Sequence, residues 1–177
     1  MEALALPVDS AAQAGLGLWV DELLKWNARV NLTSITEPAE VVEKHLLDSL
    51  AVLPEVAGAT SLLDLGAGAG LPGIPLALAL PELKVTLVDA VNKKVTFLKQ
   101  VVVRLGLQGR VRAVHLRAGG RPAEERLGLA EVVISRALMD LDRWLPFALP
   151  YLAPGGRLVA MLARPPVEWR GHVGRVQ

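Results

Sequence analysis

The sequence predicts an α/β fold in which a parallel sheet of about five strands follows a small N-terminal helical region. Two observations lead to this prediction. From residue 61 onward, short apolar runs alternate with segments of helical periodicity, as is typical of parallel strands joined by right-handed crossovers. A glycine-rich loop also follows the first apolar run directly, as it does in nucleotide-binding sheets.

Residues 1–58 are predicted to form a helical region that packs on the rest of the chain. Apolar residues recur at helical spacing between positions 10 and 29, which indicates an amphipathic helix. A polar break at 31–34 contains capping residues, and Pro38 then opens a second helical segment, because proline is tolerated in a first turn. Residues 59–177 are predicted to form the sheet domain, with no flexible linker before it.

The elements of the sheet domain follow in order along the chain. Strands are predicted at 62–65, 84–89, 111–116, 131–135 and 157–163, and helices at about 72–80, 92–105 and 140–152. Segment 118–129 has a less clear pattern, and Pro154-Gly155-Gly156 predicts a turn before the last strand.

Composition limits the classes of function. The 177 residues suit one domain of ordinary size, and the absence of cysteine excludes disulfides, thiolate metal sites and cysteine catalysis. No metal site is predicted. The first ten residues do not look like a signal peptide, and prolines or charges interrupt the long apolar stretches. We therefore expect a cytoplasmic protein that does not span a membrane.

The net charge of +1 conceals an asymmetry along the chain. Residues 1–60 have a net charge of −6, and residues 61–177 have a net charge of +7. This segregation favours a basic, phosphate-contacting face on the C-terminal part, although a solvated arginine-rich surface would give the same pattern. The basic cluster consists of Arg104, Arg110, Arg112, Arg117, Arg121 and Arg126.

The glycine loop joins the first strand to the next helix. Gly66 suits a tight turn, while Gly68 and Gly70 let the backbone approach a ligand without interference from a Cβ atom. A dinucleotide fingerprint G-x-G-x-x-G would place its third glycine where Leu71 stands, so a nicotinamide oxidoreductase is disfavoured. The observed G-x-G-x-G spacing is commoner where the loop binds the amino-acid part of S-adenosylmethionine. Glycine loops also serve simple packing.

Asp89 stands at the end of the second strand, 19 residues after Gly70. A carboxylate at that place can accept hydrogen bonds from both hydroxyls of a ribose. The alternative is an acidic strand end or helix cap, a role for which Asn92 competes. Loop and acid together favour a nucleoside cofactor.

Several longer segments resemble the RsmG (GidB) family of bacterial methyltransferases, which modify N7 of a guanine in 16S ribosomal RNA. They are LLDLGAGAGLPGIPLAL, LVDAVNKKVTFLKQVVVRLGL and VISRAL, and the upstream segment NLTSITEPAEVVEKHLLDSL is similar to the family's helical N-terminal region. The resemblance covers roughly residues 20–163. It implies a Rossmann-like class I S-adenosylmethionine-dependent methyltransferase, a monomer that acts on 16S rRNA or on the small ribosomal subunit.

The resemblance also assigns residues. The implied cofactor-binding residues are Gly66, Gly68, Gly70, Leu71, Asp89, Ala118, Gly119 and Arg136. Asp89 would hold the ribose, Ala118 and Gly119 in the loop after the third strand would hold the adenine, and Arg136 would be catalytic, beside both cofactor and RNA. The implied RNA-facing residues are Asn31, His45, Asp48 and Arg164. Leu71 as a core residue, Asn31 as a turn cap and His45 as a packed helix residue are the alternatives.

The chain departs from the family pattern at three places. Gly119 stands where the family usually has an acid, and Leu162 stands where a lysine is typical, with Arg164 as a shifted substitute. The family's C-terminal strand pair is also missing before Gln177, so the sheet is expected to be short and the fifth strand to form an edge. A diverged or truncated S-adenosylmethionine-binding protein without catalytic activity is therefore the alternative function.

Overall fold

The computed structural model describes residues 8–136 and 138–162. Its strands are β1 (Ser61–Leu65), β2 (Lys84–Asp89), β3 (Val111–His115), β4 (Ala130–Arg136) and β5 (Leu152–Met161). Its helices are α1 (Ser10–Asn27), α2 (Pro38–Val41), α3 (Asp48–Ala51), α4 (Leu53–Val56), α5 (Gly73–Ala79), α6 (Asn92–Arg104), α7 (Pro122–Glu125) and α8 (Leu141–Ala148). A π-helical stretch (Val42–Leu47) joins α2 to α3, and a 3₁₀ turn (Leu149–Tyr151) follows α8.

The five strands form one sheet in the order β3-β2-β1-β4-β5, and each neighbouring pair is parallel. The predicted α/β class, the parallel sheet of five strands and the N-terminal helices are thereby confirmed. The chain returns to the centre of the sheet after β3, so the strand order reverses between β1 and β4. In open parallel sheets, ligands bind beyond the carboxyl ends of the strands at such a reversal.

Successive residues of β1 supply both hydrophobic layers. Leu62 packs with apolar residues of α1, α5 and α6 on one face of the sheet. Leu63 and Leu65 pack with Trp144 and Tyr151 on the other face. Side chains alternate across a strand, so a strand whose side chains are buried on both faces, as in β1, is what a sheet covered on both faces requires.

The N-terminal helices pack directly on the sheet domain. Trp19 of α1 is fully buried, and its indole N–H donates to the carbonyl of Ala69 in the glycine loop at 3.1 Å. Glu22, only 4% exposed, forms an ion pair at 3.2 Å with Arg104 of α6. The helical region therefore contacts both the loop and the helix that follows β2, while the predicted boundary between 58 and 59 stays a prediction. No helix in the described residues is both long and apolar enough to cross a membrane.

The last strand differs from the prediction. β5 begins at Leu152 rather than at 157, because Leu152 pairs with Ala130 before the Pro-Gly-Gly turn. The next pair joins Arg157 to Val132, so the turn bulges out of β5 while β4 advances by two residues. Gly155 has a φ of +74°, which a glycine adopts without strain. The predicted end of the strand at 163 lies outside the described residues.

Most of the predicted basic cluster bonds to the chain itself. Arg110 donates to the carbonyls of Ala77, Leu80 and Leu83 at 2.6, 3.3 and 3.1 Å. Arg112 donates to Thr86 Oγ1 at 3.0 Å and to the carbonyl of Leu127 at 3.2 Å; Arg104 pairs with Glu22, and Arg121 pairs with Glu124 at 3.0 Å. Within the described residues, only Arg117 and Arg126 of the cluster have neither a side-chain hydrogen bond nor a salt bridge. The cluster is thus mainly structural, and its interpretation as one phosphate-contacting face is not supported.

Arg110→Ala is expected to destabilise the fold. The substitution leaves the carbonyls at the end of α5 without their charged donor, and hydrogen bonds to charged groups contribute about 1.5–3 kcal/mol each. The three bonds are only partly buried, so water replaces part of their contribution, and we expect the free energy of unfolding in urea to fall by roughly 2–3 kcal/mol in total. Arg121→Ala, which removes an exposed ion pair, is the matched control and should change it by less than about 0.5 kcal/mol. Equal effects of the two substitutions would contradict the structural role of Arg110.

Candidate functional site

A cleft of about 540 Å³ opens beyond the carboxyl ends of β1, β2 and β4. This volume is typical of sites for small molecules and cofactors. The predicted residues that line it are Gly66, Gly68, Leu71, Asp89, Ala118, Arg136 and His45. The structure thus brings residues from the N-terminal region, the glycine loop and three strand ends around one cavity.

The glycine loop is bonded to the end of β2. The N–H groups of Gly66 and Ala67 both donate to the carbonyl of Val88, at 2.8 and 2.9 Å. Gly68 has a φ of +56°, and a Cβ atom added there would meet only the carbonyl of Gly66, at 3.8 Å. Gly68 therefore presents bare backbone to the cleft, as close approach of a ligand requires.

Gly70 does not line the cleft. Its φ is +88°, and an added Cβ atom would overlap the side chain of Ile74 and lie 3.1 Å from Leu98. A side chain at this position would therefore push the loop away from α5 and α6. The structure assigns Gly70 to close packing rather than to the predicted cofactor contact.

The carboxylate of Asp89 fixes the glycine loop through hydrogen bonds. Its two carboxylate oxygens accept hydrogen bonds from the N–H groups of Gly68 and Val91, at 2.9 and 2.8 Å. The residue is 7% exposed and lines the cleft. An ionised carboxylate has about four acceptor positions, so about two remain for a ligand.

Asp64 lies fully buried beneath the loop. Its Oδ2 accepts from the N–H of Gly73 at 3.0 Å, and its Oδ1 has no hydrogen-bond partner in the described residues. Burial raises the pKa of Asp64 well above its usual value; the bond from Gly73 opposes this shift and the charge of Asp89 adds to it. The buried carboxyl is thus favoured in its neutral form.

Arg136 joins the end of β4 to the N-terminal helices. Its Nη2 donates to the carbonyl of Lys44 at 2.6 Å and lies 3.6 Å from Oδ2 of Asp48. Its Nη1 is buried and has no partner among the described residues. Burial lowers the pKa of Arg136, and Asp48 opposes that shift. Arg136 therefore lines the cleft while it is bonded to the N-terminal region.

His45 lies beside the same carbonyl. Its Nδ1 is 3.1 Å from the carbonyl of Lys44, and its Nε2 is 2.8 Å from Oγ1 of Thr33. Burial, with the charge of Arg136 second, lowers the pKa of His45 and favours the neutral ring. A carbonyl only accepts, so Nδ1 carries the proton and Nε2 accepts from the Thr33 hydroxyl. The ring is held in one orientation at the rim of the cleft.

The other predicted RNA-facing residues lie outside the cleft. Asn31 is exposed, and the loop around it is fixed by Asn27, whose Oδ1 accepts from the N–H groups of Leu32 and Thr33 at 2.7 and 2.9 Å. Asp48 is exposed next to Arg136. Arg164 lies outside the described residues.

The loop after β3 supplies another wall. Ala118 lines the cleft together with Leu116 and Phe147. Gly119 does not line it; its N–H donates to Oε1 of Glu125 at 2.7 Å. The structure therefore separates the two residues that were predicted to hold the adenine together.

Comparison with known proteins identifies the family. The family model described as rRNA small subunit methyltransferase G matches residues 12–172. The ribosomal RNA small subunit methyltransferase G of Myxococcus xanthus is 61% identical over 93% of this chain and 76% of its own length. That of Anaeromyxobacter dehalogenans (strain 2CP-C) is 58% identical over 93% of the chain and 75% of its own length. This chain belongs to that family.

Solved structures agree on the fold. A putative O-methyltransferase from Klebsiella pneumoniae superposes with a TM-score of 0.58 at 19% identity, covering 88% of this chain and 66% of that one. A methyltransferase from Thiobacillus denitrificans, solved with S-adenosylhomocysteine, gives 0.56 at 21% identity over 78% of this chain and 53% of that one. Both the family prediction and the class I methyltransferase fold are confirmed.

Several cleft residues of this family member were not predicted. Thr33 orients His45, the carbonyl of Lys44 holds Arg136, and Met139 and Phe147 line the wall. Lys44 lies in the π-helical stretch, and such stretches are frequent at functional sites. No residue pattern in a sequence marks a π-helical turn or a backbone carbonyl that accepts from a site residue. For these cleft residues, the only signal in the sequence was the NLT segment before Pro38, which contains Thr33.

Asp64→Asn is expected to raise the melting temperature of the free protein at pH 7 by a few degrees. The folded-state pKa of Asp64 lies above the unfolded one, so its contribution to stability is complete below about pH 4 and is lost as pH rises through the folded-state pKa. Asparagine still accepts from Gly73, and it avoids the free energy that the folded state loses at pH 7 because the buried carboxyl resists ionisation.

Thermal unfolding of wild type and variant between pH 4 and 8 checks this. The difference should shrink as pH falls toward 4, while Asp142→Asn, an exposed control on α8, should show no such trend. A variant less stable than wild type at every pH would show that ionisation of Asp64 does not reduce the stability of the folded protein.

Proposed function

We propose that this protein transfers the methyl group of S-adenosylmethionine to N7 of a guanine in the RNA of the small ribosomal subunit. The observation that carries the proposal is the cleft, which has two walls with different binding groups. The glycine loop and Asp89 form one wall, and Arg136, whose buried Nη1 has no partner within the described residues, stands on the other. Family membership supports both the methyl-transfer chemistry and the RNA substrate.

The residues present fit the cofactor. The two acceptor positions left on Asp89 match the two hydroxyls of a ribose. Gly68 leaves room beside the loop for the amino-acid part. Ala118 and the ring of Phe147 offer an apolar wall for the purine. We therefore assign Gly66, Gly68, Leu71, Asp89 and Ala118 to cofactor binding.

The acceptor atom determines which residues the reaction needs. S-adenosylmethionine supplies an electrophilic methyl group on a sulfonium, and guanine N7 has a free lone pair. No residue has to remove a proton before attack, so the protein's contribution is alignment of the two reactants in a site that excludes water. The guanine must be unstacked from the RNA to enter the cleft.

Arg136 can provide that alignment. In the Hoogsteen edge of guanine, O6 and N7 are neighbouring acceptors. A donor from Arg136 to O6 would hold the base while leaving the N7 lone pair free for the methyl group. Its bond to the carbonyl of Lys44 fixes the guanidinium in place before the base arrives. We therefore assign Arg136 as the catalytic residue, with His45 and Asp48 shaping the entrance.

The proposal extends to the setting of the reaction. We place the protein in the cytoplasm as a monomer that acts on the small subunit or its free RNA, with residues 1–58 as the helical region that borders the acceptor side. The non-catalytic alternative gains no support from the cleft or from the relatives. It stays testable, because a protein of that kind would bind S-adenosylhomocysteine and transfer no methyl group.

Arg136→Ala is expected to lower kcat/KM for methyl transfer by about 10²–10³-fold, the usual effect of removing one oriented donor. The affinity for S-adenosylhomocysteine should change by only a few-fold, since other residues hold the cofactor. Arg136→Lys, with one donor group instead of a fork, should recover part of the rate. The assay uses unmodified small subunits and radiolabelled cofactor.

Arg143→Ala, at an exposed position on α8, is the control and should keep the full rate. A full rate in Arg136→Ala would refute the role of Arg136. Absence of transfer in the wild type, with cofactor binding intact, would favour the non-catalytic alternative.

A further inference from the structure

The loop after β3 is held by two residues that lie outside it. The N–H of Gly119 donates to Oε1 of Glu125 at 2.7 Å, and the other oxygen of Glu125 accepts from the hydroxyl of Tyr151. That hydroxyl accepts in turn from the N–H of Gly120 at 2.8 Å. Two successive backbone donors of the loop thus bond to one carboxylate–phenol pair.

The pair is protected from water on the phenol side. Tyr151 is fully buried in the 3₁₀ turn after α8. Burial, and then the hydrogen bond to Glu125, raise the pKa of Tyr151 to about 12. The hydroxyl therefore stays protonated and donates a hydrogen bond to the carboxylate. The ring of Tyr151 meets that of Phe147 edge to face, with centroids 6.2 Å apart, and Phe147 lines the cleft. The network therefore reaches from α7 to the cleft wall.

The glycine at 119 is explained by the same carboxylate. A Cβ atom added to Gly119 would lie 3.3 Å from Oε1 of Glu125 and within 4 Å of no other non-neighbouring atom in the described residues. Gly119 is not among the glycines with positive φ, so its backbone does not require glycine. A side chain at this position would therefore require the Glu125 carboxylate to move by a few tenths of an ångström.

We propose that Glu125 and Tyr151 are positioning residues for the adenine end of the cleft. They hold the N–H groups of Gly119 and Gly120, and through this backbone and Phe147 they set where the wall at Ala118 stands. Neither side chain lines the cleft, so their effect on the cofactor is indirect. The inference rests on the proposed function, because it takes the cleft to hold S-adenosylmethionine.

Binding of two ligands to Glu125→Ala and Tyr151→Phe tests the inference by calorimetry. S-adenosylhomocysteine contains adenine; S-ribosylhomocysteine keeps the sugar and amino acid and lacks the base, and it is measured by competition. The Kd for S-adenosylhomocysteine should rise about tenfold in each variant, as expected for one or two lost hydrogen bonds. The Kd for S-ribosylhomocysteine should stay within about twofold of wild type, since the wall at Ala118 would face only the base.

Glu124→Ala is the matched control. Glu124 is the neighbouring residue of α7 and pairs at the surface with Arg121, without a bond to the loop. It should leave both affinities unchanged. The double variant of Glu125 and Tyr151 should bind S-adenosylhomocysteine about as weakly as each single variant, because the two side chains act as one network.

The outcomes separate the two proposals. Equal affinities in Glu125→Ala and Glu124→Ala, or equal losses for both ligands, overturn the positioning role while leaving the proposed function intact. Failure of the wild type to bind S-adenosylhomocysteine overturns the proposed function and this inference with it. If Tyr151→Phe does not fold, Glu125→Ala carries the test, with Glu125→Gln expected to recover part of the affinity.

Discussion

The cleft depends on the hydrogen bonds that tie the glycine loop to the end of β2. One carbonyl, that of Val88, accepts from two loop N–H groups, and the carboxylate of Asp89 accepts from a third at Gly68. A glycine-rich segment loses more conformational freedom on folding than other segments do, so without such fixed acceptors it would not hold one shape. Because Asp89 does this with only part of its acceptor capacity, the same side chain can shape the loop and still receive a ligand.

The N-terminal helices complete the geometry from the opposite side. Trp19 reaches the loop carbonyl of Ala69, and the carbonyl of Lys44 receives Arg136 from the end of β4. One helical region therefore contacts both the glycine loop and Arg136, which form two walls of the cleft. Methyl transfer requires the two reactants to be aligned within a fraction of an ångström, and a bridge of this kind keeps the two walls in a constant relation. The region is thus part of the site and more than a cover for the sheet.

The order of elements, the parallel sheet and the placement of Gly66 and Asp89 at the carboxyl edge of the sheet were predictable, because strand periodicity, glycine turns and strand-end acids have local signatures in the sequence. The packing role of Gly70 was not predictable from the sequence. The same G-x-G-x-G pattern leaves open space at Gly68 and close packing at Gly70, and only the neighbours Ile74 and Leu98 distinguish the two glycines. Gly119 was interpreted as a lost acid. The structure shows the carboxylate of Glu125 bonded to its N–H, six residues further along, an arrangement that is visible only after the chain folds.

Buried polar atoms without partners are informative only through their position. Native structures leave few of them, and each costs roughly 1–3 kcal/mol. Among the described residues they include Nε1 of Trp144, a buried core residue of α8, and Nη1 of Arg136, on a side chain that lines the cleft. The first only lowers stability. The second is a desolvated donor on a cleft residue, so an acceptor that reached it would recover a hydrogen bond that the free protein lacks. A base offering O6 beside N7 is an acceptor of that kind, and this recovery would favour the bound state at the atom where alignment matters most.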